Sequence, residues 1–201
     1  MTARADAAVA AAPSIPGNVF LVGLMGAGKS SVGRVLAKRL DKAFVDCDHE
    51  IERRTGVSIS VIFDIEGEAG FRSREAALID ELTARDGLVL ATGGGVVLDA
   101  RNRALLAARG CVVYLRAAAD ELWRRTRHDR HRPLLRTPDP RARLAELLAT
   151  RDPLYHEVAH VVVDTGSQNL QTLADRIVER LLERVRVPAG SPAAPPSACK
   201  P

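Results

Sequence analysis

The run Gly23-Leu24-Met25-Gly26-Ala27-Gly28-Lys29-Ser30 satisfies the spacing G-x-x-x-x-G-K-[ST] in full. Glycines at these positions let successive backbone N–H groups curl around phosphate oxygens without Cβ obstruction, and a helix that starts there adds the positive end of its dipole. Lys29 has the charge and reach for the outer phosphates of a nucleotide, and the Ser30 hydroxyl suits a Mg²⁺ ion. A glycine-rich turn with an incidental lysine is the bland alternative, and a complete match between an apolar run and a helical pattern weighs against it. The loop implies nucleotide phosphate binding but leaves the acceptor open, because switches, motors, ATPases and metabolite kinases share it.

Further residues bear on the acceptor. Phe44-Val45-Asp46-Cys47-Asp48 ends a predicted strand, and two carboxylates two residues apart on an extended chain point the same way. Asp46 is the metal-side candidate and Asp48 the acceptor-side candidate, whereas in isolation both could simply be turn formers. The triple glycine Gly93-Gly94-Gly95 loses much entropy on folding unless a ligand comes close or a positive φ is required. Arg72, in Phe71-Arg72-Ser73-Arg74-Glu75, and Arg151, in Arg151-Asp152-Pro153-Leu154-Tyr155, stand near the ends of predicted helices. Either could form a surface ion pair, but two guanidinium groups converging on one pocket would clamp a carboxylate. The stretch from Arg124 to Arg136 (RRTRHDRHRPLLR) reads as a mobile lid over about 124–138, or otherwise as a solvated basic loop able to touch nucleic acid.

The elements that must position these groups alternate in type. Five short apolar runs, Val19 to Val22, Ala43 to Asp46, Leu88 to Ala91, Val112 to Leu115 and Val161 to Val163, read as strands buried on both faces. Helical patterns lie at Lys29 to Leu40, Glu68 to Ala84, Arg101 to Arg109, Ala118 to Arg127, Arg141 to Arg151 and Leu170 to Val185. Such alternation predicts an α/β, three-layer P-loop fold: a parallel sheet of five strands flanked by helices, plus the lid. Residues 1–17 and 187–201 are rich in alanine or proline and are expected to be disordered tails around a single domain over 18–186.

Composition narrows the partners. A chain of 201 residues with 46% hydrophobic residues can bury one ordinary core, and no apolar run reaches membrane-spanning length. The net charge of +4 favours anionic ligands, while 3% aromatic residues leave few platforms for stacking nucleic-acid bases, so neither nucleic acid nor membrane is expected as partner. Three cysteines without a CxxC pair suggest a reducing compartment, and the N-terminus lacks a compact apolar leader, so a cytoplasmic protein is expected, monomeric by default.

Taken in order, GLMGAGKSS, DCD, FRSRE, TGGG, RHRPLL and RDPLY resemble the shikimate kinase family over about Asn18 to Val185. The resemblance implies a nucleoside-monophosphate-kinase type of sheet and transfer of the γ-phosphoryl of ATP to the 3-hydroxyl of shikimate, on the route to chorismate and the aromatic amino acids. It implies that Gly26, Ala27, Gly28, Lys29, Ser30 and Ser31 hold ATP phosphates, with Mg²⁺ on Ser30 and Asp46. Asp48 would bind shikimate hydroxyls and assist deprotonation, Arg72 and Arg151 would grip the carboxylate, and Gly93, Gly94 and Gly95 would contact the ring hydroxyls. Arg132 of the lid would reach the transferring phosphoryl group, Arg125 would lie against adenine, and Gln168 would border it. Lys29, Asp48 and Arg132 are thereby the catalytic set. The alternatives are a gluconate-type kinase and a catalytically silent nucleotide-binding relative.

Overall fold

Five parallel strands, Asn18–Val22 (β1), Ala43–Asp46 (β2), Leu88–Ala91 (β3), Gly110–Arg116 (β4) and Val161–Asp164 (β5), form one sheet in the order β2-β3-β1-β4-β5. The computed structural model describes residues 14–129, 133–166 and 168–186. In the middle of the sheet, Phe20 stands beside Leu90 on one side and Val112 on the other. Because helices flank the sheet, β1 and β3 are buried at every position, which is why their sequences run apolar without alternation. β2 departs from that expectation. It is an edge strand, with Ala43 exposed and the rest half-buried.

Among the described residues seven α-helices connect and cover the strands: Lys29–Leu40 (α1), Cys47–Thr55 (α2), Ile59–Thr83 (α3), Ala100–Arg109 (α4), Ala119–Thr126 (α5), Pro140–Val158 (α6) and Leu170–Arg186 (α7). In α1, Val32, Leu36 and Leu40 recur every four residues and are buried. The helix stops at Asp41, whose left-handed φ of 50° lets the next N–H return to Ala37. Gly33 lets the same helix press on β2, since a Cβ there would lie 2.5 Å from the Phe44 ring. α1 also packs along α7.

Three elements differ from the sequence pattern. α2 was not anticipated, because Cys47 and Ile51 are its only buried side chains. α3 begins nine residues ahead of the predicted Glu68 and bends at Gly67, whose φ of 69° and ψ of −177° interrupt the helix. α6 runs past Arg151 through Pro153 to Val158, since Leu144, Leu147, Arg151, Tyr155 and Val158 keep one face buried along its whole length. That burial outweighs the one hydrogen bond a proline removes.

Ile15, assigned by composition to the N-terminal tail, is 4% exposed and joins the core. Of the expected tails, residues 1–13 and 187–201 lie outside the described residues. Among the described residues Cys47 and Cys111 are free thiols. No helix among them is long and apolar enough to cross a membrane.

Candidate active site

The loop between β1 and α1 needs its glycines. Gly23, Gly26 and Gly28 have φ of 139°, 82° and 94°, in the region that side chains avoid. Gly26 also lies under α5, where a Cβ would sit 2.7 Å from Thr126 Cγ2. Lys29 curls back over the loop and donates to the carbonyls of Gly23 at 2.7 Å and Leu24 at 3.1 Å. A cavity of about 440 Å³ opens above, lined by Gly26, Gly28, Lys29, Ser30 and Ser31. Ala27 is buried and contributes its backbone N–H to the turn, through Leu24.

Across this cavity stands Asp46. Its Oδ2 accepts from the Ser30 hydroxyl at 2.5 Å, and its Oδ1 accepts from the N–H groups of Asp48 and His49, capping α2. The two aspartates therefore do not share one extended strand as the spacing suggested. Asp46 closes β2, and Asp48 rides on the first turn of α2. Both still face the loop, because the chain turns at the cap. Among the described residues no three His, Cys, Asp or Glu gather into a ready metal cage. The oxygen pair of Ser30 and Asp46 instead suits a hard ion that keeps most of its ligands as water and phosphate, as Mg²⁺ does.

A second cavity of about 220 Å³ adjoins the first. Asp48, Arg72, Gly94, Gly95 and Arg151 line it, with Ile59, Phe63 and Phe71 as an apolar wall. Met25, Asp48 and Gly94 belong to both cavities, so the two open onto each other at the acceptor-side aspartate. Both arginines sit well inside helices, α3 and α6, rather than near helix ends. Regular helix is what holds two long side chains in a fixed convergence.

Arg72 donates to Glu75 at 2.6 Å and to Glu68 at 2.9 Å, and its guanidinium lies over the Phe71 ring at 5.1 Å. Glu75 is 1% exposed, and burial raises its carboxyl above the ordinary range while Arg72 opposes the rise. Among the described residues its Oε1 has no hydrogen-bond partner. Arg151 is 3% exposed, donates to the Gly94 carbonyl at 3.1 Å, and among the described residues forms no ion pair. Burial lowers its pKa. Glu68 and Glu75 act on it only through space, and a buried cation without a direct ion-pair partner is costly, so this position suits an anion.

The triple glycine is explained by crowding rather than by backbone sign. None of Gly93, Gly94 and Gly95 has a positive φ. A Cβ on Gly95 would overlap the Arg72 guanidinium, and one on Gly93 would overlap Glu75. Gly93 lines neither cavity, while Gly94 lines both. Missing side chains thus make room for the protein's own charged groups.

Arg125 also lines the first cavity, donating to the carbonyls of Gly26 at 3.2 Å and Gly166 at 2.7 Å. Gln168 folds onto its own loop, accepting from Gly166 N and donating to the Asp164 carbonyl. The expected Arg132 lies outside the described residues. Sequence reasoning missed two buried residues, Glu75 and Tyr155. Both could have been found from helical spacing, three and four positions beyond an arginine already singled out.

Comparison with known proteins places this arrangement. The family model for shikimate kinase matches residues 25–182. A shikimate kinase of Aromatoleum aromaticum is 64% identical over 151 residues, 75% of this chain and 86% of that protein. One from Nitrosospira multiformis is 58% identical over 165 residues, 82% of this chain and 85% of that protein. The solved structure of shikimate kinase from Acinetobacter baumannii in complex with shikimate superposes with a TM-score of 0.83 at 49% identity, covering 86% of this chain and 96% of that one. With a glycine loop, an oxygen pair and two convergent arginines arranged around adjoining cavities, the chain belongs to the shikimate kinase family.

Proposed function

We propose that this protein transfers the γ-phosphoryl group of ATP to the 3-hydroxyl of shikimate, giving shikimate 3-phosphate and ADP, a cytoplasmic step on the route to chorismate and the aromatic amino acids. One observation carries the reading: a phosphate-binding cavity and an anion-seeking cavity meet at Asp48 and Gly94. A cavity of about 220 Å³ fits a single-ring acid, and the apolar wall of Ile59, Phe63 and Phe71 suits the ring's C–H edges.

Phosphoryl transfer has a loose transition state, so position and charge matter more than a strong base. Arg151 and Arg72 hold the carboxylate, which aims the opposite side of the ring at Asp48. Asp48 orients the acceptor hydroxyl and takes up its proton as the P–O bond forms. The loop N–H groups of Gly26 to Ser31 hold the β- and γ-phosphates, and Lys29 leaves its loop carbonyls to follow the charge onto the leaving ADP oxygen. Ser30 and Asp46 would hold Mg²⁺, which would supply charge neutralisation to the phosphates. Arg132 brings a further positive charge from the lid, and Arg125 and Gln168 border the adenine. The gluconate-type alternative uses an open-chain acid, for which a closed apolar wall offers no advantage.

A coupled ADP-release assay with Mg·ATP against shikimate, quinate and gluconate tests the proposal. Shikimate should be turned over at least about 100-fold more efficiently than either, the discrimination expected when a site built for particular polar groups meets a mismatched ligand. Comparable turnover of gluconate would reject it.

A further inference from the structure

The substrate-side cavity is held in shape by a residue that does not line it. Tyr155, on α6 one turn after Arg151, is fully buried, and its hydroxyl donates to the same Gly94 carbonyl that Arg151 contacts. Hydroxyl and guanidinium thus share one acceptor and lie side by side. Sharing it ties the guanidinium to a carbonyl that the buried tyrosine holds in place, so its remaining N–H groups present one fixed edge to the cavity.

The same hydroxyl sets a peptide plane. In a trans peptide the carbonyl and the next N–H point in opposite directions, so fixing the Gly94 carbonyl aims the Gly95 N–H away from α6. Gly94 and Gly95 both line the cavity, and this plane decides which polar edge meets a ligand. Glycine backbone, without side chains to hold it, would otherwise have the most freedom of any residue. The Tyr155 ring is itself held by stacking on Tyr114 at 4.9 Å, and the Tyr114 hydroxyl donates to Asp152 at 2.6 Å.

We infer that Tyr155 is a positioning residue for recognition of the substrate carboxylate: its hydroxyl orients the Arg151 guanidinium and the Gly94–Gly95 peptide together. The inference rests on the proposed role of Arg151 as the carboxylate's partner. It separates the two hydroxyls of the stack, since that of Tyr155 bonds the carbonyl of Gly94, which lines the pocket, and that of Tyr114 bonds half-exposed Asp152.

The test compares Tyr155→Phe, Tyr114→Phe and Arg151→Met, using shikimate and its methyl ester as substrates and thermal melting to check folding. In Tyr155→Phe, KM for shikimate should rise about 3- to 10-fold, on the scale of one lost hydrogen bond between neutral groups, with kcat and KM for ATP within about two-fold of the parent. The preference for shikimate over its ester, measured as a ratio of kcat/KM, should narrow by a similar factor. Tyr114→Phe should shift the melting temperature but leave KM for shikimate unchanged. Tyr155→Met, which fills the space without a hydroxyl, should repeat the split and replaces Tyr155→Phe if that variant does not melt cooperatively. An unchanged ester preference in both Tyr155 variants, or an equal KM rise in Tyr114→Phe, overturns the inference. If Arg151→Met also leaves KM unchanged, the carboxylate reading of the pocket falls with it; if Arg151→Met alone raises KM, only the role of Tyr155 falls.

Discussion

Replacing Arg151 by methionine should weaken substrate binding while leaving the fold as stable as before, or more stable. Arg151 is 3% exposed and has no direct ion-pair partner among the described residues, so its burial is a cost. Replacing a whole buried ion pair by apolar side chains is often neutral or stabilising by about 1–4 kcal/mol, and removing one buried charge that has no direct ion-pair partner works in the same direction. Against this, the Gly94 carbonyl loses one of its two side-chain donors, at about 1 kcal/mol. The melting temperature without ligand should therefore hold or rise. Binding goes the other way. Charged hydrogen bonds contribute about 1.5–3 kcal/mol each, and with one nitrogen already committed to Gly94 a net loss of about 2–4 kcal/mol is expected. That is a rise of roughly 30- to 1,000-fold in KM for shikimate. Melting curves with and without saturating shikimate, beside steady-state ADP release, read both signs at once. A variant that melts well below the parent yet keeps its KM would refute the reasoning, because Arg151 would then be a structural cation.

Lys29→Ala should lower turnover by at least roughly 100-fold, the scale for losing one preorganised charge donor, and near-normal steady-state turnover would contradict its role. Asp48→Asn should bind ATP as the parent does, by equilibrium titration, yet lose most transfer; full activity at saturating shikimate would remove its assignment. Glu50 is held at a pKa of about 2, first by its hydrogen bond from Arg53 and then by that from Arg54. Its contribution to stability is complete above the ordinary carboxyl pKa and is lost as pH falls through about 2. Glu50→Gln should accordingly reduce the denaturation midpoint at neutral pH, with the gap closing in strong acid; a gap independent of pH would mean that the ion pairs contribute nothing.

Where sequence and structure agree, the reason is physical repetition. β2 and β3 and α1 have the predicted bounds, since short apolar runs framed by polar residues or glycine, and a helix with apolar residues spaced by four, admit few other readings. α2 was illegible by hydrophobic periodicity because only Cys47 and Ile51 are buried on it. Its signals were polar: Asp46 as cap, Asp48 and Glu50 in the first turn, Arg53 and Arg54 in the last, and Gly56 beyond. Overlooking it misplaced Asp48 on a strand while leaving its partnership with the loop intact. The convergence of Arg72 with Arg151 could not be read from the chain at all, since it depends on α3 and α6 meeting beside Gly94 and Gly95. Glu75 and Tyr155 carried one signal, their spacing of three and four from the two arginines, but a buried polar residue in a helix looks like a surface one until its surroundings are known.

Asp46 divides its two oxygens between the Ser30 hydroxyl and the first amides of α2. Anyone wishing to graft a different acceptor-recognition segment onto this scaffold must therefore cut before Asp46 rather than after it. A transplant starting at Cys47 would have to inherit the host's carboxylate at the angle its own helix requires, and a small mismatch there would tilt the new helix and disturb the nucleotide side at the same stroke.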